Sequence, residues 1–124
     1  MENLDLACAE LGSALATIGG VEEKLLIDAL SVLEEQGPYA FFLYLKARGG
    51  KPGGAISQKC YEFLRTHPTE RALLRGDERD ALAHVRASLA DDLDGLLLAR
   101  DLLRQALIYA CYHSRTRGGL RRGR

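Results

Sequence analysis

The sequence predicts an all-α fold: one domain, a compact bundle of about six helices. Composition is the first observation. Leucine and alanine together number 39, against 11 valines, isoleucines and threonines. Helices favour the former and strands the β-branched residues. Periodicity is the second, because apolar residues recur at three- and four-residue intervals along most of the chain. Size is the third. A chain of 124 residues with 47% apolar content buries roughly two-thirds of its unfolded surface and needs no covalent staple.

The elements follow in order. Leu4, Cys8, Leu11, Leu15 and Ile18 make a helical stripe that ends at Gly19-Gly20. A second helix runs from about Val21 to Gln36, with Leu25, Ala29 and Val32 inward and Leu26, Leu30 and Leu33 widening the face. Gly37 stops it, and Pro38 suits the first turn of the third helix. That helix, Pro38 to Arg48, is apolar on nearly every side from Tyr39 to Leu45, so it is expected to be the central and most buried element. Gly49-Gly50-Lys51-Pro52-Gly53-Gly54 reads as a flexible loop. The fourth helix covers about Ala55 to Thr66 and buries Ile56, Cys60, Phe63 and Leu64, with Lys59, Glu62 and Arg65 outward. A short piece from Pro68 to Arg75 ends at Gly76. Asp77 is then the expected N-cap of a fifth helix with Ala81, Leu82, Val85 and Leu89 inward. Asp91-Asp92 predicts a break. The last helix runs from about Leu93 to Arg115 on a stripe of Leu96, Ala99, Leu103, Ala106 and Ala110. The bundle is thus expected over residues 1–116, and residues 117–124, rich in arginine and glycine, as a mobile tail.

Several classes are excluded at once. Tyr39–Leu45, as long as any apolar run in the chain, is far short of the roughly 20 residues that span a bilayer. The start, Met1-Glu2-Asn3-Leu4-Asp5, lacks the basic region of a signal peptide, so the expected location is the cytoplasm and no membrane partner is foreseen. Cys8, Cys60 and Cys111 form no C-x-x-C pair and lie on apolar stripes. They are expected to be core residues rather than disulfide or zinc partners.

No catalytic or metal constellation emerges. His67, His84 and His113 have no i, i+4 partner for a metal. Cys111 and His113 are two residues apart on a helix and point away from each other. His113, near the expected helix end, reads as a favourable dipole partner. Asp91, Asp92 and Asp94 read as capping residues rather than ligands. The glycine-rich loop lacks the Gly-Lys-Ser/Thr ending of a nucleotide-binding loop. It is a plain linker, or at most a place where Lys51 and free backbone N–H groups hold one phosphate. No enzyme, no cofactor and no metal are expected.

Charge is the better lead. The net charge of zero hides four blocks. Residues 1–36 carry eight acids and one base, and residues 37–76 seven bases and two acids. Residues 77–101 carry seven acids and three bases, and residues 102–124 six bases and no acid. Two readings stay open: the blocks neutralise one another across helix pairs, or they present cationic faces. On the second reading, the candidate contacts are Lys46 and Arg48 at the end of the third helix, Lys51 in the loop, and Lys59 and Arg65 on the fourth. Arg100, Arg104 and Arg115 on the last helix complete the set. Such positions suit sequence-independent contact with a phosphate backbone, since half of the eight aromatic residues fall in the apolar third helix.

Two segments carry a family resemblance. The first is Leu30-Ser-Val-Leu-Glu-Glu-Gln-Gly-Pro-Tyr-Ala-Phe-Phe-Leu-Tyr-Leu-Lys46, and the second is Ala99-Arg-Asp-Leu-Leu-Arg-Gln-Ala-Leu-Ile-Tyr-Ala-Cys-Tyr-His113. In layout and in these stretches the chain resembles the small all-helical subunit of the type III-B CRISPR effector, the Cmr or RAMP-module RNA-silencing complex. It departs in having no tryptophan, with Tyr109 near the position where the family's tryptophan falls. The resemblance implies a non-catalytic subunit that stacks along the backbone subunits and helps hold target RNA against the crRNA. Its partners would be the other Cmr subunits, the crRNA and the target RNA, with self-association as a further expectation. The alternative is a small adaptor or oligomerisation module that touches only protein, suggested by the wide apolar faces of the second and last helices.

Overall fold

The computed structural model describes residues 2–68, 73–74, 81–89 and 92–122. Over these residues it is all-α, with six helices: α1 (Leu4–Ala16), α2 (Glu23–Gln36), α3 (Pro38–Arg48), α4 (Gly50–Thr66), α5 (Ala81–Leu89) and α6 (Leu93–Arg122). Among the described residues there is no strand, and no helix is long and apolar enough to cross a membrane.

Asn3 caps α1 by accepting the Leu6 N–H on Oδ1 at 2.9 Å. Cys8, Leu11 and Leu15 are buried as the stripe requires. The helix stops at Ala16, short of Ile18, where Thr17 turns its N–H and hydroxyl back on the Ala14 carbonyl. The most extensive packing in the molecule is α1 along α6. Gly12 makes it possible: a Cβ there would fall 2.5 Å from Tyr109 Cβ and 2.7 Å from the Ala106 carbonyl oxygen. Cys8 meets Leu102 and Gly12 meets Ala106, so the two helices run parallel.

α2 packs on both α6 and α3. Its buried seam is Leu26, Ala29 and Leu33. Leu25 and Val32, expected inward, are only half-buried, because a helix held between two neighbours buries the line between its two contact faces.

Two expectations about the middle of the chain are corrected. Tyr39 and Leu43 are exposed on α3, which buries Pro38, Phe41, Phe42 and Leu45. An apolar surface larger than the available contacts stays in solvent, and α6 holds the deeper core with Ala99, Leu103, Ala106, Leu107 and Ala110. The second correction concerns the glycine-rich stretch, which is the first turn of α4 rather than a loop. Only Gly49 separates the helices: its N–H donates to the Leu45 carbonyl at 3.0 Å, and its own carbonyl accepts from Gly53 at 2.8 Å. A Cβ on Gly53 would lie 2.8 Å from the Leu45 carbonyl oxygen, and Gly50 sits at φ +61°. The glycines serve a tight corner, not mobility.

After α4 the chain is tied back by the Leu74 N–H, which donates to Leu64 at 3.0 Å and brings buried Leu74 into the core. Asp77 and Asp91, and the side chains of Ala81 and Leu89, lie outside the described residues. The break before α6 is present: Asp92 Oδ1 accepts the Gly95 N–H at 2.9 Å as an N-cap. α6 continues past Arg115 to Arg122, so the segment expected as a tail is helical up to that point. His113 therefore lies within the helix, not at its end, and the dipole role expected for it does not apply.

Cys8, Cys60 and Cys111 are all free and buried. Burial pushes the Cys8 thiol up to about 11 and the Cys60 thiol up to about 12. Cys111 is raised as well, first by burial and then by Glu23 nearby. They pack as small core residues whose thiols are held protonated by burial.

Candidate nucleic-acid interface

The structure divides the eight candidate cations into two kinds. On α6 they are partnered. Arg104 Nε donates to Glu34 at 3.1 Å and Arg115 Nε to Glu23 at 2.7 Å, both across to α2. The ion pair raises the Arg115 pKa further, through its hydrogen bond to Glu23. Glu23 starts α2 and Glu34 lies near its end, so the pairs also show that α2 runs antiparallel to α6. Arg100 lies 4.0 Å from Asp101 of its own helix. On α4, Arg65 pairs with Glu62 at 3.0 Å and lies over the Tyr61 ring at 5.6 Å. Neutralisation across a helix pair is thus the fate of the last basic block where it meets the first acidic one.

Lys46, Arg48, Lys51 and Lys59 form no ion pair with any described residue, and each is exposed. Lys46 and Arg48 close α3, and Lys51 lies in the first turn of α4, so the one-residue Gly49 corner carries all three. No acid occurs between Glu35 and Glu62. The positions are not equal in their local energetics. Lys46 and Arg48 suit the negative end of α3, whereas Lys51 opposes the positive end of α4, whose first turn holds no acid. A charge placed against the helix dipole gains nothing for the fold, and such local conflicts accompany binding surfaces. Lys59 is eight residues further along α4, about 12 Å down its axis.

Lys59 instead borders a groove of about 540 Å³ between α1 and α4. Leu11 and Phe63 are buried in it, with Ala7 and Ala14 half-buried beside them. The polar groups at its rim include Glu10, Glu62 and Lys59, with His67 at one end. The His67 ring stacks on Phe63 at 4.2 Å and 11°, and its Nε2 lies 3.9 Å from Glu2. Sequence reasoning missed this groove. Its signals were the small residues Ala7 and Ala14 flanking the Leu11 stripe and the aromatic i, i+4 pair Phe63 and His67.

A buried pair also escaped notice. Tyr61 OH is hydrogen-bonded to His84 Nδ1 at 2.7 Å, with the rings edge-to-face at 5.6 Å, and it ties α5 to α4. Both residues lie in the core, and His84 occupies a helical position next to Val85 where a side-chain partner is obligatory.

Among the described residues, no group of three or more histidine, cysteine, aspartate or glutamate side chains is arranged to hold a metal. No buried side-chain nitrogen or oxygen lacks a hydrogen-bond partner among them. No protein-family model, no curated protein and no solved structure matches the chain.

Proposed function

We propose that the chain is a non-catalytic helical subunit that holds an RNA strand by its phosphate backbone, in the manner of the small subunit of a type III-B CRISPR effector. The observation that supports this reading is the cationic corner of Lys46, Arg48 and Lys51, exposed and unpaired among the described residues. Lys59 extends it along α4. The corner is fixed by a one-residue turn, so its charges are held on rigid helix ends rather than on a loop. Phosphate contacts of this kind position a strand without reading its bases, and guide pairing would then supply specificity. The other effector subunits, the crRNA and the target RNA are the partners this reading names.

The test is recovery of the tagged chain from its native cells, with and without RNase. Co-purifying RAMP subunits together with RNA of crRNA length are the expected result. One unrelated protein partner and no RNA would replace this reading with the second. That second reading, a protein-only adaptor, is favoured by the exposure of Leu93, Leu97 and Leu98 on the first turns of α6.

A further inference from the structure

One face of α3 carries an aromatic ring, an aliphatic side chain and a free cation in line. Tyr39 is 41% exposed, and Leu43, one turn on, is 46% exposed. Lys46, also exposed, follows at the next turn. Positions i, i+4 and i+7 share a helix face, so the three line up over about 10 Å. Phe41, Phe42 and Leu45 turn inward instead. Tyr39 makes no ring contact with any described residue.

The other aromatic side chains lack this setting. The three phenylalanines and Tyr61 are buried, and Tyr109 donates its hydroxyl to Asp5. Tyr44 is half-buried near Lys24 of α2. Tyr112 is more exposed, at 60%, but the cation one turn away is Arg115, which Glu23 holds. Among the described residues, Tyr39 alone is an exposed ring on one face with an unpaired cation.

Charge is graded along this face. Beyond Lys46 come Arg48, Lys51 and Lys59, with no acid before Glu62. On neighbouring α2, Lys24 neutralises Asp28 at 2.6 Å. Glu35 is in no ion pair with a described residue, and it lies where α2 ends and α3 begins. The Arg104–Glu34 pair puts the N-terminal half of α6, with Asp92 and Asp94, at that same end of the bundle. An anion is therefore favoured at the Lys46 end and a neutral group at the Tyr39 end. A nucleotide has that polarity, with an anionic phosphate and a flat, uncharged base.

We infer that Tyr39 is a stacking platform for one unpaired base of a single-stranded RNA, whose adjoining phosphate Lys46 holds. Leu43 lines the path between them, and the strand continues over the corner towards Lys51. The inference rests on the RNA reading above and adds to it a contact with a base. Every base has a π-face, so the contact tolerates any sequence. Bases inside a duplex are covered on both faces by their neighbours, so the strand held here is single.

The purified full chain is titrated at low salt with an oligouridylate and with an abasic ribose-phosphate oligomer of equal length. Tyr39→Leu is expected to weaken oligouridylate binding about tenfold, the effect of losing one stacked base. Its affinity for the abasic oligomer and its salt slope are expected to be unchanged, which also shows that the corner is still folded. Tyr112→Leu is expected to alter neither affinity. Tyr39→Phe keeps a stacking ring and should keep the affinity. With no tryptophan in the chain, tyrosine emission reports the contact, and Tyr39→Phe should abolish its quenching by oligouridylate. Unchanged oligouridylate binding by Tyr39→Leu would overturn the inference and leave the backbone reading in place. An equal loss on both oligomers would overturn it too, because the ring would then support the corner rather than a base. So would loss of self-association in sedimentation with RNA affinity intact, which would assign the face to a second copy. Binding of neither oligomer by the unsubstituted chain would overturn both readings.

Discussion

Gly12 is the residue on which the α1–α6 contact turns. Its hydrogen leaves room for the Tyr109 Cβ and the Ala106 and Ala110 backbone, which a methyl group would meet at 2.5 to 2.9 Å. Gly12→Ala raises helix propensity, yet the overpacked contact costs about 1–3 kcal/mol, which exceeds that gain. The denaturation midpoint is expected to fall with an unchanged slope. A rise would mean that the helices separate freely and that the glycine has no packing role. Cysteine chemistry supplies a second prediction at this scale. With its thiol pushed up to about 12, Cys60 is neutral at pH 8, and it is fully enclosed. Alkylation of Cys60 in the native protein is expected to proceed only through unfolding, so its rate should track denaturant rather than reagent access. Tyr109 adds a pH dependence. Its hydroxyl donates to Asp5 at 2.9 Å, and that bond, ahead of burial, raises its pKa from 10.0. Stability from this bond is therefore complete below the unfolded value near 10 and is lost as pH rises towards the folded one. Ultraviolet titration should show a late-ionising component that Tyr109→Phe removes.

Helices were legible because their apolar stripes repeat, and the buried residues of α1, α4 and α6 are largely those the spacing indicates: Cys8, Leu11 and Leu15; Ile56, Cys60, Phe63 and Leu64; Ala99, Leu103, Ala106 and Ala110. Errors arose where a local pattern has two physical uses. Glycines at positions 49 to 54 suit a flexible linker as well as a close helix corner, and only the proximity of the Leu45 carbonyl to Gly53 distinguishes them. The apolar circumference of α3 suits a central helix, yet burial depends on how many neighbours arrive, and Tyr39 and Leu43 have too few. Charge partners were likewise invisible, because pairing Arg104 with Glu34 or Arg115 with Glu23 requires knowing that α2 lies antiparallel to α6. These two pairs join half-exposed side chains, so a double-mutant cycle on Arg104 and Glu34 should give a coupling of about 0.2–1 kcal/mol, shrinking with salt. Their value is in setting the register of α2 against α6.

At the scale of the whole molecule, zero net charge conceals a division of labour between the basic positions. Acidic α2 neutralises the middle of α6, and the corner between α3 and α4 keeps its charge. If the chain holds RNA as proposed, its affinity, measured with the purified chain at low salt, should therefore respond unevenly to substitution. Log affinity against log salt for single-stranded RNA is expected to have a slope of about −3 if Lys46, Arg48, Lys51 and Lys59 each neutralise one phosphate. Replacing Lys46, Arg48 and Lys51 by alanine should flatten that slope to about −1, leaving only the Lys59 contribution. Arg104→Ala with Arg115→Ala removes nearly as much positive charge, yet it takes away residues already held by carboxylates. That pair of changes is expected to leave the slope unaltered and to lower stability slightly. Equal flattening by both sets would show that bulk charge, not the corner, governs binding. A slope of zero in the unsubstituted protein would show that it does not neutralise phosphates at all, and the exposed leucines of α6 would then become the surface to pursue.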